Sequence, residues 1–358
     1  MAQLTLVQAL NQALRHELRE DPRTLVFGED VGRLGGVFRV TDGLQEEFGE
    51  RRVFDTPLAE SAIVGSAIGL ALAGWRPVCE IQFDGFSYPA LDQVITNLAK
   101  YRGRTRGRAA LPVTIRIPSG GGIGGPEHHG ESPETYYAHT AGLKVVAPSG
   151  PAEGYQLLRA AIRDPDPVIF LEPKSRYWTK EEVDAAAAGR LGQARIVREG
   201  THATLIAWGA MTARCLQAAE AAAEDGVSLE VIDVRSLVPL DQETILASVK
   251  KTGRAVVVHE APLTGGFGAE IVEWRVKEGD RVELNQMLGE VQTSKAAVEI
   301  PSPRRGLVKT LHALPGDLVR VGEPLVTFEV EDSQPGVVGR VPQEAKPARR
   351  VHLRIRRD

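Results

Sequence analysis

Three places in this sequence hold side chains whose type and setting suit chemistry. The first is Thr56-Pro57-Leu58-Ala59-Glu60-Ser61, where a carboxylate stands between an apolar loop and an apolar stretch that runs on to Trp75. Such a carboxylate either opens a helix, favoured by its dipole, or sits desolvated with a raised pKa and exchanges a proton. The second is Gly120-Gly121-Gly122-Ile123-Gly124-Gly125-Pro126-Glu127-His128-His129. It lacks the Gly-Lys-Ser/Thr ending of a phosphate loop and does not match GxGxxG before a helix. Its two histidines, beside Glu127 and Glu131, can ligate a metal, place an imidazole at the mouth of a site, or belong to a plain surface loop. The third is the run Val291 to Ile300, where Lys295 stands between two apolar strand-like segments. That puts an amine at an exposed hairpin tip, the setting of many solvated lysines as well.

The elements that must position these groups follow from periodicity. Up to about residue 175, helix and strand signals alternate. Leu4 to Arg19 has helical spacing, with Leu6, Ala9, Leu10, Ala13 and Leu14 on one face. Thr24–Gly28, Pro77–Phe83, Leu111–Ile117, Lys144–Ala147 and Val168–Leu171 read as strands, Ala90–Tyr101 as a helix, and Ser61–Trp75 as a buried helix whose glycines allow close backbone approach. This alternation predicts an α/β layer fold with a parallel sheet. Glu181 to Gly200 reads as a linker or hairpin. A second α/β unit follows, with strands at 203–208, 229–233 and 255–259 and helices at 211–224 and 241–252. From Ile271 to Val330 the texture is valine-rich with regular turn residues. There Gly279-Asp280-x-Val282 recurs 37 residues on as Gly316-Asp317-x-Val319, with Leu288 onto Leu325 and Val291 onto Phe328. A repeat of this size in an all-β segment suggests two similar half-sheets. The final 28 residues, rich in Pro, Gly, Gln and Arg, read as an extended tail. The expected division is 1–180, 200–270, 271–330 and 331–358.

The chain has 358 residues, 42% hydrophobic and 25% charged, with a net charge of -4. That excludes wholesale disorder, and at roughly 150 residues per domain it suggests two or three domains. Apart from the short basic run Arg349 to Arg357, nothing in the charge points to nucleic acid. Cys79 and Cys215 make neither a disulfide framework nor a zinc site, which fits a reducing compartment. No apolar signal core precedes Glu17, and Ser61 to Trp75 falls short of the ~20 residues a membrane span needs. The expectation is a cytoplasmic protein with no membrane partner.

Together these residues resemble two families joined in one chain. Residues 1 to about 270 resemble the β subunit of the E1 component of 2-oxo acid dehydrogenase complexes. The likeness runs through Gly28-Glu29-Asp30-Val31, Asp55 to Glu60, Cys79-Glu80 with Phe86 and Asp92-Gln93, His129 to Pro133, Gly142 to Val146, and Asp166-Pro167-Val168 with Leu171-Glu172-Pro173-Lys174. The Glu-Pro-Lys and Arg176-Tyr177-Trp178 stretch looks more like branched-chain than pyruvate enzymes. Residues from about 269 to 330 resemble the lipoyl domain of an E2 acyltransferase, through Glu270 to Trp274, Lys277-Glu278-Gly279-Asp280, the Lys295 hairpin, Ile300 to Pro303 and Pro315-Gly316-Asp317.

The resemblance implies a transketolase-like pyrimidine-binding domain, a partial transketolase C-terminal-like domain, a small all-β lipoyl domain shaped as a flattened barrel or sandwich, and a flexible linker-like tail. It implies that Glu60 hydrogen-bonds the aminopyrimidine of thiamine diphosphate, that Leu58 and Phe86 pack on this cofactor, and that His129 transfers protons and orients the acyl group on its way to lipoyl. Lys295 matches the lysine that carries lipoate, and Asp164 and Asp166 match a loop for a monovalent cation such as potassium. No Gly-Asp-Gly with a downstream Asn is present, so Mg²⁺ and the diphosphate are expected on a separate E1 α subunit, in an α2β2 assembly that serves an E2 acyltransferase core. The implied activity is oxidative decarboxylation of branched-chain 2-oxo acids with acyl transfer to lipoyl. The alternatives are a pyruvate dehydrogenase β subunit, or a non-catalytic lipoyl carrier or assembly remnant.

The sequence departs from both families at their junction. After Gly265 to Ile271 the usual end of a β subunit is missing, and so is the usual first strand of a lipoyl domain. The join falls on Ala269-Glu270-Ile271, shared by both, as in an in-frame fusion. Val256 to Gly265 is then claimed by two sheets, and unpaired buried backbone groups cost about 1–3 kcal/mol each. The expectation is a firm fold over 1–175 and a marginal one over 200–330. At the lipoyl tip, Gln292 and Ser294 replace two usual acids, and Glu131 replaces a usual Gln beside His129.

Overall fold

The computed structural model describes residues 1–125, 127–271, 279, 281–283, 285–292, 297–302, 304–312 and 326–330. It divides into two compact units, Met1–Val272 and Glu273–Asp358.

In the first unit β1 (Ala2–Thr5) leads directly into the helix Leu6–Glu20. Thr5 and Gln8 close a capping box: the Gln8 N–H donates to Thr5 Oγ1 at 3.2 Å and the Thr5 N–H to Gln8 Oε1 at 2.9 Å. The apolar face read from the spacing, Leu6, Ala9, Leu10, Ala13 and Leu14, is fully buried. Next come β2 (Thr24–Gly28), β3 (Val53–Asp55), β4 (Arg76–Glu80), β5 (Thr114–Ser119), β6 (Lys144–Val146) and β7 (Val168–Pro173). These six form a parallel sheet in the order β6-β7-β5-β4-β2-β3. Side chains alternate between two cores. Phe27, Cys79, Ile115 and Ile169 pack with Ile63, Val64 and Ala67 on one face, and Val26, Val78 and Phe170 with Leu10, Leu14 and Leu158 on the other. Both faces are covered, so β5 and β7 are buried along their whole length.

The chain continues through β8 (Lys180–Val183), β9 (Arg195–Arg198), β10 (Ala203–Ala207), β11 (Leu229–Asp233), β12 (Ser236–Val238) and β13 (Ala255–Val258). A second sheet has the order β13-β10-β11-β9, with the helices Ala210–Glu224 and Gln242–Thr252 between its parallel strands. β12 leaves this sheet and pairs antiparallel with β6, so the second half of the chain lends an edge strand to the first sheet.

Four readings change. Glu181–Gly200 is not simply a linker. β8 begins at its edge and pairs antiparallel with β1, while β9 pairs antiparallel with β11. Charged runs such as Lys180-Glu181-Glu182 show no apolar alternation, so only their partners reveal them as strands. The helix expected over Ala90–Tyr101 is present but irregular: a 3-10 segment (Asp84–Ala90) leads into it, it winds as a π-helix over Gln93–Leu98, and an α turn (Tyr101–Arg104) ends it. Pro89 lacks an N–H, and the Thr96 hydroxyl takes the Asp92 carbonyl at 2.5 Å. The strand expected over Pro77–Phe83 pairs only as far as Glu80. The helix Glu60–Leu72 is apolar on all sides yet half covered: Ile63, Val64, Ala67 and Ala71 are buried, whereas Ala62, Gly69 and Leu72 are exposed.

Ala255–Val258, claimed by two sheets in the sequence, lies in the second sheet, parallel to β10. The joint between the two sheets of this unit centres on Asp233, which is fully buried. It accepts from the Ser149 hydroxyl at 2.5 Å and from Thr212 Oγ1 at 3.3 Å. Burial first, with Glu153 adding to it, outweighs the Ser149 bond and pushes its carboxyl up to about 7. Its unfolded value is about 4. The protonated folded form therefore adds stability that is complete below about pH 4 and is lost as pH rises through about 7. Asp233→Asn should stabilise the fold at pH 8 by on the order of 1–3 kcal/mol, read as a higher urea midpoint, and by less at pH 5. Equal shifts at both pH values would count against a buried titrating carboxyl.

The second unit is all-β as described. β14 (Arg281–Val282), β17 (Gly306–Leu311) and β18 (Val326–Val330) form one antiparallel sheet, and β15 (Met287–Gln292) and β16 (Ala297–Pro301) form a hairpin. Val282, Leu288 and Val308 make its small core. The hairpin register ends on Gln292 opposite Ala297. Lys295 between them, the second copy of the repeat (Gly316 to Val319, with Leu325) and the tail lie outside the described residues.

Candidate functional site

The groups that can do chemistry gather at the C-terminal ends of the parallel strands, where loops of an α/β sheet converge. β2 ends at Gly28, where a Cβ would lie 2.6 Å from the Glu80 carbonyl, so only glycine lets the two chains approach. The next residue, Glu29, is buried, and its Oε1 has no hydrogen-bond partner. Burial, then the nearby Glu60 and Asp30, raises its carboxyl above the usual range. Glu60 comes from the other side, as the first residue of its helix, 9% exposed. Ala59 before it offers no side-chain cap. The carboxylate thus stands at the positive end of the helix dipole and also next to a second carboxylate.

Beneath them lies a charged layer. Arg116 on β5 is completely buried. Its Nη1 donates to Glu80 Oε2 at 2.6 Å, its Nε to Glu172 Oε1 at 2.6 Å, and its Nη2 to Glu172 Oε2 at 2.9 Å. The Tyr177 hydroxyl donates to Glu172 Oε2 at 2.7 Å. Burial works against the guanidinium, but Glu172 and Glu80 outweigh it and hold its pKa above the ordinary arginine value. Burial raises Glu80, Arg116 notwithstanding.

Over this layer sits an aromatic cluster. Phe83 stands edge-on to Phe86 with centroids 5.4 Å apart, and His129 stands edge-on to both, at 4.8 Å from Phe83 and 5.5 Å from Phe86. Phe38 bridges Phe83, at 5.5 Å, and Tyr177, at 4.8 Å. His129 closes the short turn Glu127–His129. A Cβ on Gly125 would come within 2.7 Å of the His129 Cβ, so the glycine-rich loop must be bare there. The Asp84–Ala90 segment that carries Phe86 packs on the Glu60 helix, where the Ser61 hydroxyl donates to the Pro89 carbonyl.

Glu60, Phe86 and His129 are therefore brought to one end of one sheet. Leu58, on the loop before Glu60, is 80% exposed. Asp164 and Asp166 are elsewhere: they precede β7 and so lie at the opposite end of the sheet. Lys144 Nζ lies 2.7 Å from both oxygens of Asp164 and 3.8 Å from Asp166, and Arg102 Nε lies 2.5 Å from Asp166. Among the described residues no group of three His, Cys, Asp or Glu side chains suits a metal ion. Lys295 lies outside the described residues. The sequence reading did not single out Glu29 or Arg116 as site residues. A charge inside Thr114-Ile115-Arg116-Ile117, and another inside Phe170-Leu171-Glu172, were the available signals, because a buried charge needs a partner.

Comparison with known proteins accounts for both units. Residues 2–179 match the family "Transketolase, pyrimidine binding domain", and 192–290 match "Transketolase, C-terminal domain". Residues 258–328 match "Biotin-requiring enzyme", so the last two matches overlap. The chain is 58% identical over 269 residues to the pyruvate dehydrogenase E1 component subunit beta of Leifsonia xyli subsp. xyli, covering 75% of this chain and 80% of that protein. It is 56% identical over 277 residues to the 3-methyl-2-oxobutanoate dehydrogenase subunit beta of Mycobacterium tuberculosis, covering 77% of this chain and 79% of that protein. A solved structure described as a split gene transketolase, inactive beta4 tetramer, superposes with a TM-score of 0.63 at 23% identity, over 75% of this chain and 82% of that one, and supports the fold. The α/β first unit and the all-β second unit agree with these matches: the chain belongs to the E1 β subunits of 2-oxo acid dehydrogenases and carries a C-terminal domain of the biotin/lipoyl type.

Proposed function

We propose that this chain provides the pyrimidine-binding half of a thiamine diphosphate site and uses it to decarboxylate a branched-chain 2-oxo acid and pass the acyl group to lipoyl. The observation that carries this is the meeting of Glu60, the orphaned Oε1 of Glu29, Phe86 and His129 at one sheet end. The described residues fit the aminopyrimidine end of the cofactor: a carboxylate for a ring nitrogen, an aromatic face and an apolar Leu58. They do not fit the diphosphate, for which no magnesium cluster is present among them. That half is assigned to an E1 α subunit in an α2β2 assembly. The exposed outer face of the Glu60–Leu72 helix supports this, because a helix apolar on all sides is ordinarily covered.

Glu60, Phe86 and Leu58 would hold the aminopyrimidine end of thiamine diphosphate, which would supply the electron-sink chemistry of decarboxylation. Glu60 holds or releases the proton at the aminopyrimidine nitrogen. Glu29, whose carboxyl burial and then Glu60 push above the usual range, stands beside it. Phe86 supplies an apolar face that excludes water, and His129 orients the acyl group and handles its proton during transfer. Asp164 and Asp166 are already engaged by Lys144 and Arg102, so these carboxylates do not fit a potassium ion. Lys295 is assigned as the lipoyl lysine, and an E2 acyltransferase core as the further partner. No helix among the described residues is long and apolar enough to cross a membrane, and we place the protein in the cytoplasm.

The branched-chain assignment rests on Glu172-Pro173-Lys174 and Arg176-Tyr177-Trp178; pyruvate is the alternative substrate. The test is co-purification with the cognate α subunit, followed by thiamine diphosphate-dependent turnover of 3-methyl-2-oxobutanoate and pyruvate with an artificial electron acceptor. The first substrate should give the higher kcat/KM. An assembled complex that turns over neither would leave only the carrier reading. Separately, incubation with a lipoate ligase, lipoate and ATP should add one lipoyl group, abolished in Lys295→Arg. An unchanged intact mass would remove the carrier role.

A further inference from the structure

A second buried ion pair stands beside the site and has no part in the chemistry above. Lys174, just past β7, and Asp84, at the start of the Asp84–Ala90 segment, both have side chains 0% exposed, with Nζ 2.7 Å from Oδ2. Lys174 also reaches the Pro118 carbonyl, at 3.4 Å. Burying two such charges costs about as much as their attraction returns, so the pair is a poor device for stability. Its contacts show what it holds. Asp84 Oδ1 accepts the Gly85 N–H at 3.1 Å, and the Asp84 carbonyl accepts the Ser87 hydroxyl at 2.6 Å. The carboxylate is thus tied into the turn that carries Phe86. The Lys174 ammonium lies 5.9 Å from the Phe83 centroid, and Phe83 is the ring 4.8 Å from His129.

We propose that Lys174 is a positioning residue: its ammonium locks Asp84–Ala90 to the end of β7 and, through Phe83 and Phe86, sets the place of the His129 ring. This rests on the reading of His129 as the acyl-transfer histidine. A neutral side chain of the same length would fill the space but strand the Asp84 carboxylate without a cation. The turn must then open or take up a proton, and either loosens the wall against which His129 stands. Arginine keeps the charge, so it should keep the lock.

The test uses the assembled complex with the cognate α subunit, comparing Lys174→Met, Lys174→Arg and His129→Ala. In Lys174→Met, hydrogen–deuterium exchange should rise at least about fivefold in residues 84–90 and 120–131, with β2 and β5 unchanged. Acyl transfer to lipoamide should fall about 10- to 100-fold, as expected when a reacting group is misplaced. Decarboxylation with an artificial acceptor should fall less, and Lys174→Arg should restore most of both. If Lys174→Met matches the wild type in exchange and in acyl transfer, the proposal is overturned. If exchange rises throughout Lys174→Met, Asp84→Asn becomes the probe: loosening confined to the same two segments supports the lock, and an unchanged profile overturns it. If His129→Ala retains acyl transfer, the reading of His129 fails, while the exchange data still decide whether Lys174 fixes the segment.

Discussion

Glu60→Gln should abolish thiamine diphosphate-dependent turnover and leave the fold almost untouched. Glutamine has the same shape and can still hydrogen-bond, but it cannot hold and release a proton. General acid–base contributions of about 10²–10⁴ in rate are usual, which correspond to about 3–5 kcal/mol of barrier. The structural cost is much smaller. A carboxylate in a first helical turn is favoured by about 0.3–1 kcal/mol, and here that gain is offset by crowding with Glu29, whose carboxyl Glu60 helps to raise. The variant should therefore assemble with the α subunit and melt within a few degrees of the wild type. The measurement is kcat for 2-oxo acid decarboxylation with an artificial electron acceptor. A rate within tenfold of the wild type would remove Glu60 from the chemistry and return it to the role of a helix-start carboxylate.

The largest stability effect is expected at Arg116. Arg116→Met keeps most of the volume but leaves Glu80 and Glu172 facing each other at 4% and 0% exposure without their cation. Breaking a buried charge network from one side costs about 3–5 kcal/mol, a large share of a total that is commonly about 5–15 kcal/mol. The loss has a pH signature. Burial raises the Glu80 carboxyl already, and without the guanidinium nothing opposes that rise. The folded variant then binds more protons than its unfolded chain, so its deficit shrinks as pH falls and grows as pH rises. Urea midpoints at pH 8 and pH 5.5 should show the larger deficit at pH 8. A deficit that does not change with pH would point to lost packing rather than stranded charge.

Much of this architecture is local and was legible as such. The helix Leu6–Glu20 announces itself by its apolar spacing. The strands β2, β5, β7, β10 and β11 are short apolar runs bounded by turn residues. Glu60, Phe86 and His129 sit in motifs that a linear reading can match. Periodicity and motifs live in windows of a few residues, and there the amino-acid order is sufficient. What the tertiary structure decided is who faces whom. Arg116 meets residues 36 and 56 positions away, and Lys174 meets one 90 positions away, because sheet order β7-β5-β4 places those strand ends side by side. Lys180–Val183 becomes a strand only because Ala2–Thr5 lies beside it. The 84–98 region winds as 3-10 and then π-helix rather than regular α-helix, with Pro89 lacking an N–H and the Thr96 hydroxyl donating to the Asp92 carbonyl. Ala255–Val258 carries a pattern that two sheets could accept, and it pairs with β10. An apolar strand states only that it must be buried; the partner that completes its hydrogen bonds is set by the rest of the chain.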